Sequence, residues 1–200
     1  MAEFIMGILG AGTGVFTASA FAKLRSLQAY RDYRAGLRAT RLVPGRLLSG
    51  TATTLAAVEA AIAGGLAGAA VLLAAGSPGA YLLARIALAV AAALAAVLAA
   101  GVAVAVSRGT RTPCACFGGS TARPLGAAHL IRNSCLLALL AAGLAATGLQ
   151  HAGPRLAGPR LAGSALAVVA GLVVTLLITR WDDLVSLVAP VLHKPDKAAS

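Results

Sequence analysis

Five long apolar segments constrain the fold of this 200-residue chain more than any other feature of its sequence. A helix needs about 20 apolar residues to cross the hydrocarbon of a bilayer. Backbone exposed to lipid must satisfy its own hydrogen bonds, which a helix does within one segment. We therefore predict an all-α, polytopic membrane helical bundle with four core transmembrane helices and a fifth after them. The predicted spans cover residues 4–22, 51–75, 80–106, 125–149 and 161–179.

The composition agrees with a membrane domain and leaves no room for a sizeable soluble one. Hydrophobic residues make up 59% of the chain and charged residues 12%, whereas soluble domains carry roughly a quarter charged residues. The net charge of +11 would fit a nucleic-acid-binding protein, but the basic residues cluster beside the apolar segments. We interpret them as topology signals facing anionic membrane lipid, and we expect no nucleic-acid partner.

The chain divides into two parts by composition. Residues 1–149 are predicted to form the main transmembrane domain, and residues 150–200 a linker, the fifth transmembrane helix and a polar tail. A basic stretch at residues 23–46 separates the first two spans, and its apolar positions recur at helical spacing. This pattern predicts an amphipathic interfacial helix, closed by Pro44 and Gly45. The apolar positions are Leu24, Leu27, Tyr30, Tyr33 and Leu37.

The distribution of positive charge predicts the orientation in the membrane. Lysine and arginine concentrate in the cytoplasmic loops of membrane proteins. If residues 23–46 face the cytoplasm, thirteen of the 17 basic residues share that side. We therefore expect a plasma-membrane protein with its N-terminus outside and its third loop, residues 107–124, in the cytoplasm.

The third loop contains two cysteines one residue apart, Cys114 and Cys116. Thiol–disulfide exchange needs an attacking thiolate and a second thiol that resolves the mixed disulfide, and such a pair supplies both. Arg111 and Arg123 flank the pair and would favour the thiolate. The alternative is that the two cysteines are unconnected small residues in a loop.

A metal site is a weaker interpretation of the same cysteines, and we predict none. Soft metals bind thiolates, but no histidine or third cysteine lies nearby in sequence at ligand spacing. The remaining cysteine, Cys135, lies inside the fourth span. We expect it to be a small, buried, apolar residue.

Polar side chains inside the spans are further candidates. Glu59 lies at hydrocarbon depth in the second span, where an acidic residue is costly and commonly functional. It is either a proton donor or acceptor near a redox centre, or a structural partner of Arg85 or Arg132. Arg132 and Asn133 lie in the first turns of the fourth span. They either anchor the cysteine loop through its carbonyl groups or bind an anionic or quinone-like group. Nearby His129 is expected to be structural.

These motifs occur together in a known family. They are residues 16–24, Glu59 with Gly64, Arg108-Gly109, the Cys-Ala-Cys-Phe-Gly motif at 114–118, and Arg132-Asn133. Over roughly residues 4–148 the chain resembles the MauE family of methylamine-utilisation membrane proteins, within the DoxX-like group. The family's cysteine motif usually reads Cys-Gly-Cys-Phe-Gly, and here Ala115 stands at the central position.

The resemblance implies a membrane redox-accessory protein in methylamine utilisation, with thiol–disulfide oxidoreductase activity as its chemistry. The family is linked to maturation of the disulfide-rich small subunit of methylamine dehydrogenase, which implies a thiol/disulfide partner protein. The architecture is also similar to that of vitamin K epoxide reductases, which makes a quinone a candidate electron acceptor. On this hypothesis Cys114, Cys116 and Glu59 are the catalytic residues. The loop-supporting residues would be Arg111, Phe117, Gly118, Arg123, Arg132 and Asn133.

Two other functions stay open at this point. The protein could be a non-enzymatic scaffold subunit of a membrane complex, in which the cysteine pair only shapes its loop. It could also be a small transporter or channel, although the spans hold a single acidic residue and no clearly broken helices or inverted repeats. A homo-oligomer is compatible with all three hypotheses.

Overall fold

The computed structural model describes residues 2–109, 126–149 and 161–180, and every regular element in those ranges is a helix. A single 3₁₀ turn, Gly45–Leu47, precedes the third helix. The prediction of an all-α bundle is therefore confirmed. The helices are α1 (Ala2–Leu24), α2 (Leu27–Ala39), α3 (Leu48–Ala74), α4 (Ala80–Ser107), α5 (Ala127–Leu149) and α6 (Leu161–Thr179).

Four helices in the described ranges are long and apolar enough to cross a membrane, namely α1, α3, α4 and α5. They correspond to the four predicted core spans. The predicted fifth helix, α6, has the expected bounds and 19 residues. It carries no charged residue and is shorter than the other four spans, which have 23 to 28 residues as helices. The main bundle is thus a four-span unit to which α6 adds a shorter apolar helix.

The amphipathic helix α2 connects the first two spans. It begins after Ser26, whose side chain accepts a hydrogen bond from the amide of Ala29 at 3.0 Å, the usual N-cap arrangement. The prediction that Pro44 and Gly45 close this helix is wrong. The helix ends at Ala39, shortly before Arg41 takes a left-handed φ of 56°. Pro44 instead precedes the 3₁₀ turn that leads into α3, because its fixed φ suits the start of a helical turn.

The helix α1 is the central element of the bundle. It packs against α3, α5 and α6, while α4 packs against α3 and α5. The side chains of Ile5, Leu9 and Leu66 are fully buried between these helices. Large apolar side chains on the outside are exposed, such as Val97 on α4 and Leu166 on α6. This outer surface suits contact with lipid, since a bilayer imposes no penalty on exposed apolar groups.

Small residues let α6 approach α1 closely. A Cβ atom placed on Gly171 would lie 2.7 Å from the carbonyl oxygen of Gly7 and 2.9 Å from the amide nitrogen of Ala11. The hydroxyl of Thr175 also donates a hydrogen bond to the carbonyl of Ala11 at 3.2 Å. Close backbone approach and a hydroxyl bond of this kind are the usual means of holding helices together in a membrane.

We predict that Gly171→Ala loosens the packing of α6 on α1. The new methyl group would meet backbone atoms, which cannot rotate away as a side chain would, and such overpacking typically costs about 1–3 kcal/mol. Thermal unfolding in detergent should therefore show a lower midpoint. The matched control is Gly64→Ala on α3, where an added Cβ meets nothing within 4 Å. Equal midpoints for the two variants would contradict the close approach.

Candidate functional site: a buried charged cluster

Glu59 lies in the middle of α3 and is only 2% exposed. The ammonium group of Lys23 donates to both of its carboxylate oxygens, with Nζ 2.5 Å from Oε1. The hydroxyl of Ser19 donates to Oε2 at 3.0 Å, and Lys23 donates to the Ser19 oxygen at 2.9 Å. Ser19 and Lys23 are one helical turn apart on α1 and therefore face α3 together. The three side chains form a closed hydrogen-bonded network.

The surrounding hydrogen bonds explain why a charged pair is tolerated at this depth in the bundle. An isolated buried charge is strongly unfavourable, and a pair is tolerated only when the remaining donors and acceptors are also satisfied. Ser19 provides part of that satisfaction. The structure pairs Glu59 with Lys23, whereas the partners predicted from the sequence are Arg85 and Arg132. Arg85 is exposed on α4.

Lys23 was assigned by sequence to the interfacial basic stretch, and this assignment is wrong. The helix α1 continues to Leu24, beyond the predicted end of the first span at residue 22. The extra turn places Lys23 on the buried face of α1, where it is 3% exposed. Its charge is thus used inside the folded bundle and is not exposed at the membrane surface.

The start of α5 adds positive charge beside this network. Arg132 and His129 are both 4% exposed. The positive charge of Arg132 repels that of Lys23, which places the two side chains in one electrostatic environment. Asn133 is half-buried next to Arg132. Arg132, one of the two arginines predicted as a partner of Glu59, therefore lies within electrostatic range of Lys23.

Tyr33 of α2 covers the network. Its ring centroid lies 5.0 Å from the ammonium nitrogen of Lys23, within the range of a cation–π contact. Tyr33 is the buried residue of α2. Burial, and secondarily the negative charge of Glu59, raise the pKa of Tyr33 above its ordinary value. The phenol therefore stays neutral and can accept or donate a hydrogen bond without adding charge.

Sequence reasoning missed Ser19, Lys23 and Tyr33 as members of the site, although signals for them were present. Ser19 and Lys23 lie four residues apart within the segment 16–24 that carries part of the family resemblance. Tyr33 lies on the apolar face of the predicted amphipathic helix. A lysine at the end of an apolar span is typical of a topology signal. The sequence alone does not show whether such a side chain faces the surface or the interior of the bundle.

Other predicted site residues lie outside the described ranges, so their contacts are not described. Cys135 does lie within them, on α5, and it is exposed, which overturns the prediction of burial. Within the described ranges no three histidine, cysteine or acidic side chains come together as a metal site would require. The predicted residues outside the described ranges are Cys114, Cys116, Arg111, Phe117, Gly118 and Arg123.

The charged cluster and the ends that flank residues 110–125 share one face of the bundle. The end of α4 lies beside the connection after α2, since a Cβ on Gly101 would be 3.6 Å from a methyl carbon of Leu42. The helices α1 and α5 pack together, and Arg132 at the start of α5 is within electrostatic range of Lys23 at the end of α1. The helices that enter and leave the cysteine segment therefore both terminate on the face covered by α2.

These features define a class: a polytopic helical membrane protein with a buried lysine–glutamate centre between the end of its first helix and the middle of its third. The chain belongs to the MauE family, because the family model described as methylamine utilisation protein MauE matches residues 1–146. The match covers α1 to α4 and nearly all of α5, and it ends before α6. Comparison with curated proteins and with solved structures gave no significant match.

We predict that Glu59→Gln destabilises the protein by about 3–5 kcal/mol, because it leaves the Lys23 charge buried without a carboxylate. The double variant Lys23→Met/Glu59→Leu should recover most of this loss, since it removes both charges and keeps apolar volume. Thermal unfolding in detergent measures both effects. Asp32→Asn, which alters an exposed acid, is the control and should change stability by less than about 0.5 kcal/mol. A Glu59→Gln protein as stable as the control would exclude the buried pair.

A second prediction concerns Tyr33 at alkaline pH. An unfolded chain releases the tyrosine proton above about pH 10, whereas the folded protein retains it because the pKa of Tyr33 is raised. Stability should therefore be fully present below pH 10 and then fall by up to about 1.4 kcal/mol per pH unit. Denaturant unfolding of wild type and Tyr33→Phe at pH 7 to 11 tests this. The difference between the two should be constant to about pH 9 and then shift in favour of Tyr33→Phe. Curves that stay parallel to pH 11 would contradict the shift.

Proposed function

We propose that this protein is a membrane thiol–disulfide redox protein that supports methylamine utilisation. Cys114 and Cys116 would alternate between dithiol and disulfide and exchange with a disulfide-rich partner protein. The small subunit of methylamine dehydrogenase, or a similar partner, has the chemistry required. The observation that carries the proposal is the buried Lys23–Glu59 centre on the face where the flanks of the cysteine segment terminate.

The two cysteines account for all the electrons and protons that the exchange step transfers. A partner dithiol attacks the Cys114–Cys116 disulfide, the partner becomes a disulfide, and two thiols form on this chain. Reoxidation of those thiols releases two electrons and two protons to an acceptor, for which a membrane quinone is our candidate. A hydrogen-bonded network of Lys23, Glu59 and Ser19 can hold a proton at a carboxylate or amine while electrons move.

The proposed location is the plasma membrane, with the N-terminus outside and the cysteine segment in the cytoplasm. Burial of Lys23 removes one charge from the positive-inside count. The arginines of α2 and of the connection that follows it stay on the same side and still favour this orientation. A partner folded outside the membrane would need the opposite orientation, which makes the side of the cysteines the decisive measurement.

The test uses the pair in a Cys135→Ser background, so that Cys114 and Cys116 are the only thiols. Alkylation of the isolated protein should modify neither cysteine before reduction and both after it. The single variants Cys114→Ser and Cys116→Ser should each leave one thiol open to modification without reduction. A membrane-impermeant reagent applied to intact cells should leave the reduced pair unmodified if the proposed orientation holds.

Partner oxidation provides the functional measurement. Cys135→Ser should leave it unchanged, and Cys114→Ser/Cys116→Ser should abolish it. If the double variant still supports partner maturation and co-purifies with the partner, the redox role is overturned. That result would favour a scaffold subunit, in which the buried ion pair serves only to hold the bundle together.

A further inference from the structure

One face of α2 borders a cavity of about 240 Å³ that the charged cluster does not use. Arg31, Arg34 and Arg38 line it, at spacings that place them on the same face of the helix. Ala35 and Leu48 complete the lining. We call these five residues the arginine groove. Its volume corresponds to roughly eight water molecules at about 30 Å³ each, so it can admit a polar group larger than a single water.

No carboxylate in the described part of the chain neutralises the arginine groove. Of the acidic residues there, Glu59 is bonded to Lys23. Asp32 accepts a hydrogen bond from Gln28 at 2.8 Å, and Glu3 lies in the first turn of α1, at the opposite end of that helix. Three arginines on one face therefore carry positive charge that the described protein does not compensate. Such a face favours an anionic ligand.

Arg34 is held in place within the arginine groove. Its guanidinium carbon lies 6.0 Å from the centroid of the Tyr30 ring. The Tyr30 hydroxyl in turn shares a hydrogen bond of 2.7 Å with the hydroxyl of Thr53 on α3. The Nε atom of Arg34 is buried and has no hydrogen-bond partner within the described structure. The contact with Tyr30 and the Tyr30–Thr53 hydrogen bond together hold the Arg34 guanidinium beside the groove.

The surroundings of the arginine groove indicate a lipid more than a soluble anion. Leu24, Leu27 and Leu47 are more than half exposed beside α2, which suits immersion in the outer part of the hydrocarbon. Guanidinium groups just above that level would meet phosphate oxygens, whose geometry matches the arginine fork. We propose that the arginine groove binds the phosphate group of one anionic phospholipid, with the acyl chains lying against these leucines.

This site differs from a diffuse attraction of basic residues to the membrane. Diffuse attraction depends only on how many charges lie near the surface. A built site depends on which arginines are present and retains one lipid at a defined place. The proposal does not rest on the redox function, since a protein without redox activity could bind the same lipid.

The test uses two measurements on the full-length protein. Native mass spectrometry detects phosphatidylglycerol that stays bound after purification in mild detergent. Exchange of labelled phosphatidylglycerol is then measured in phosphatidylcholine nanodiscs. Arg34→Gln/Arg38→Gln removes two charges from the arginine groove. The matched control, Arg25→Gln/Arg46→Gln, removes two exposed arginines near the same interface that do not line it. We expect wild type and control to retain one phosphatidylglycerol, and the groove variant to bind it at least tenfold more weakly.

A second variant distinguishes loss of the lipid site from loss of folding. Ala35→Leu keeps every charge and fills the arginine groove from an exposed position, and it should also lose the retained lipid. Equal weakening in the control and groove variants would show diffuse attraction and overturn the proposal. Inorganic phosphate that displaces the lipid, and stabilises the protein equally in nanodiscs of phosphatidylcholine alone, would reassign the site to free phosphate. A lipid that stays bound in both groove variants would overturn the site altogether.

Discussion

The pairing of Lys23 with Glu59 inside the bundle is the constraint from which the rest of the structure follows. Charges attract strongly where water is excluded, and each of them alone would be severely unfavourable there. The pair therefore fixes both the rotation and the depth of α1 relative to α3. Because the ammonium group also bonds to Ser19, the network resists rearrangement into other pairings. The neighbouring helices then have to cover a polar centre that cannot face lipid.

Two different kinds of contact meet on α1. Toward α3 and α5 the helix presents its polar end, where Tyr33 and Arg132 surround the ion pair. Toward α6 it presents glycines, where the backbones of two helices touch. The first kind of contact fixes geometry by electrostatics and the second by shape. The family match covers α1 but ends before α6, so the glycine contacts join a matched helix to one outside the match.

Much of the fold was predictable because the membrane imposes a simple rule. Apolar length alone located α1, α3, α4 and α5, and it located α6 as a shorter helix. The position of Glu59 within the membrane was equally evident. Its partner was not, because lysine and arginine at the ends of spans look alike in sequence whether they face solvent or the bundle. The end of α2 was missed for a related reason, since Arg41 adopts a left-handed conformation without the glycine that normally signals one.

The buried pair also has a consequence for how the protein is made. Lys23 and Glu59 are 36 residues apart, and they are delivered to the membrane on separate helices. Before α3 is present, Lys23 near the end of α1 has no partner for its charge, and its long side chain would extend toward the interface to reach water. The arrival of Glu59 draws it inward. We therefore expect the bundle to assemble in an order, in which α1 takes its final depth only after α3 has inserted and Tyr33 can then cover the completed pair.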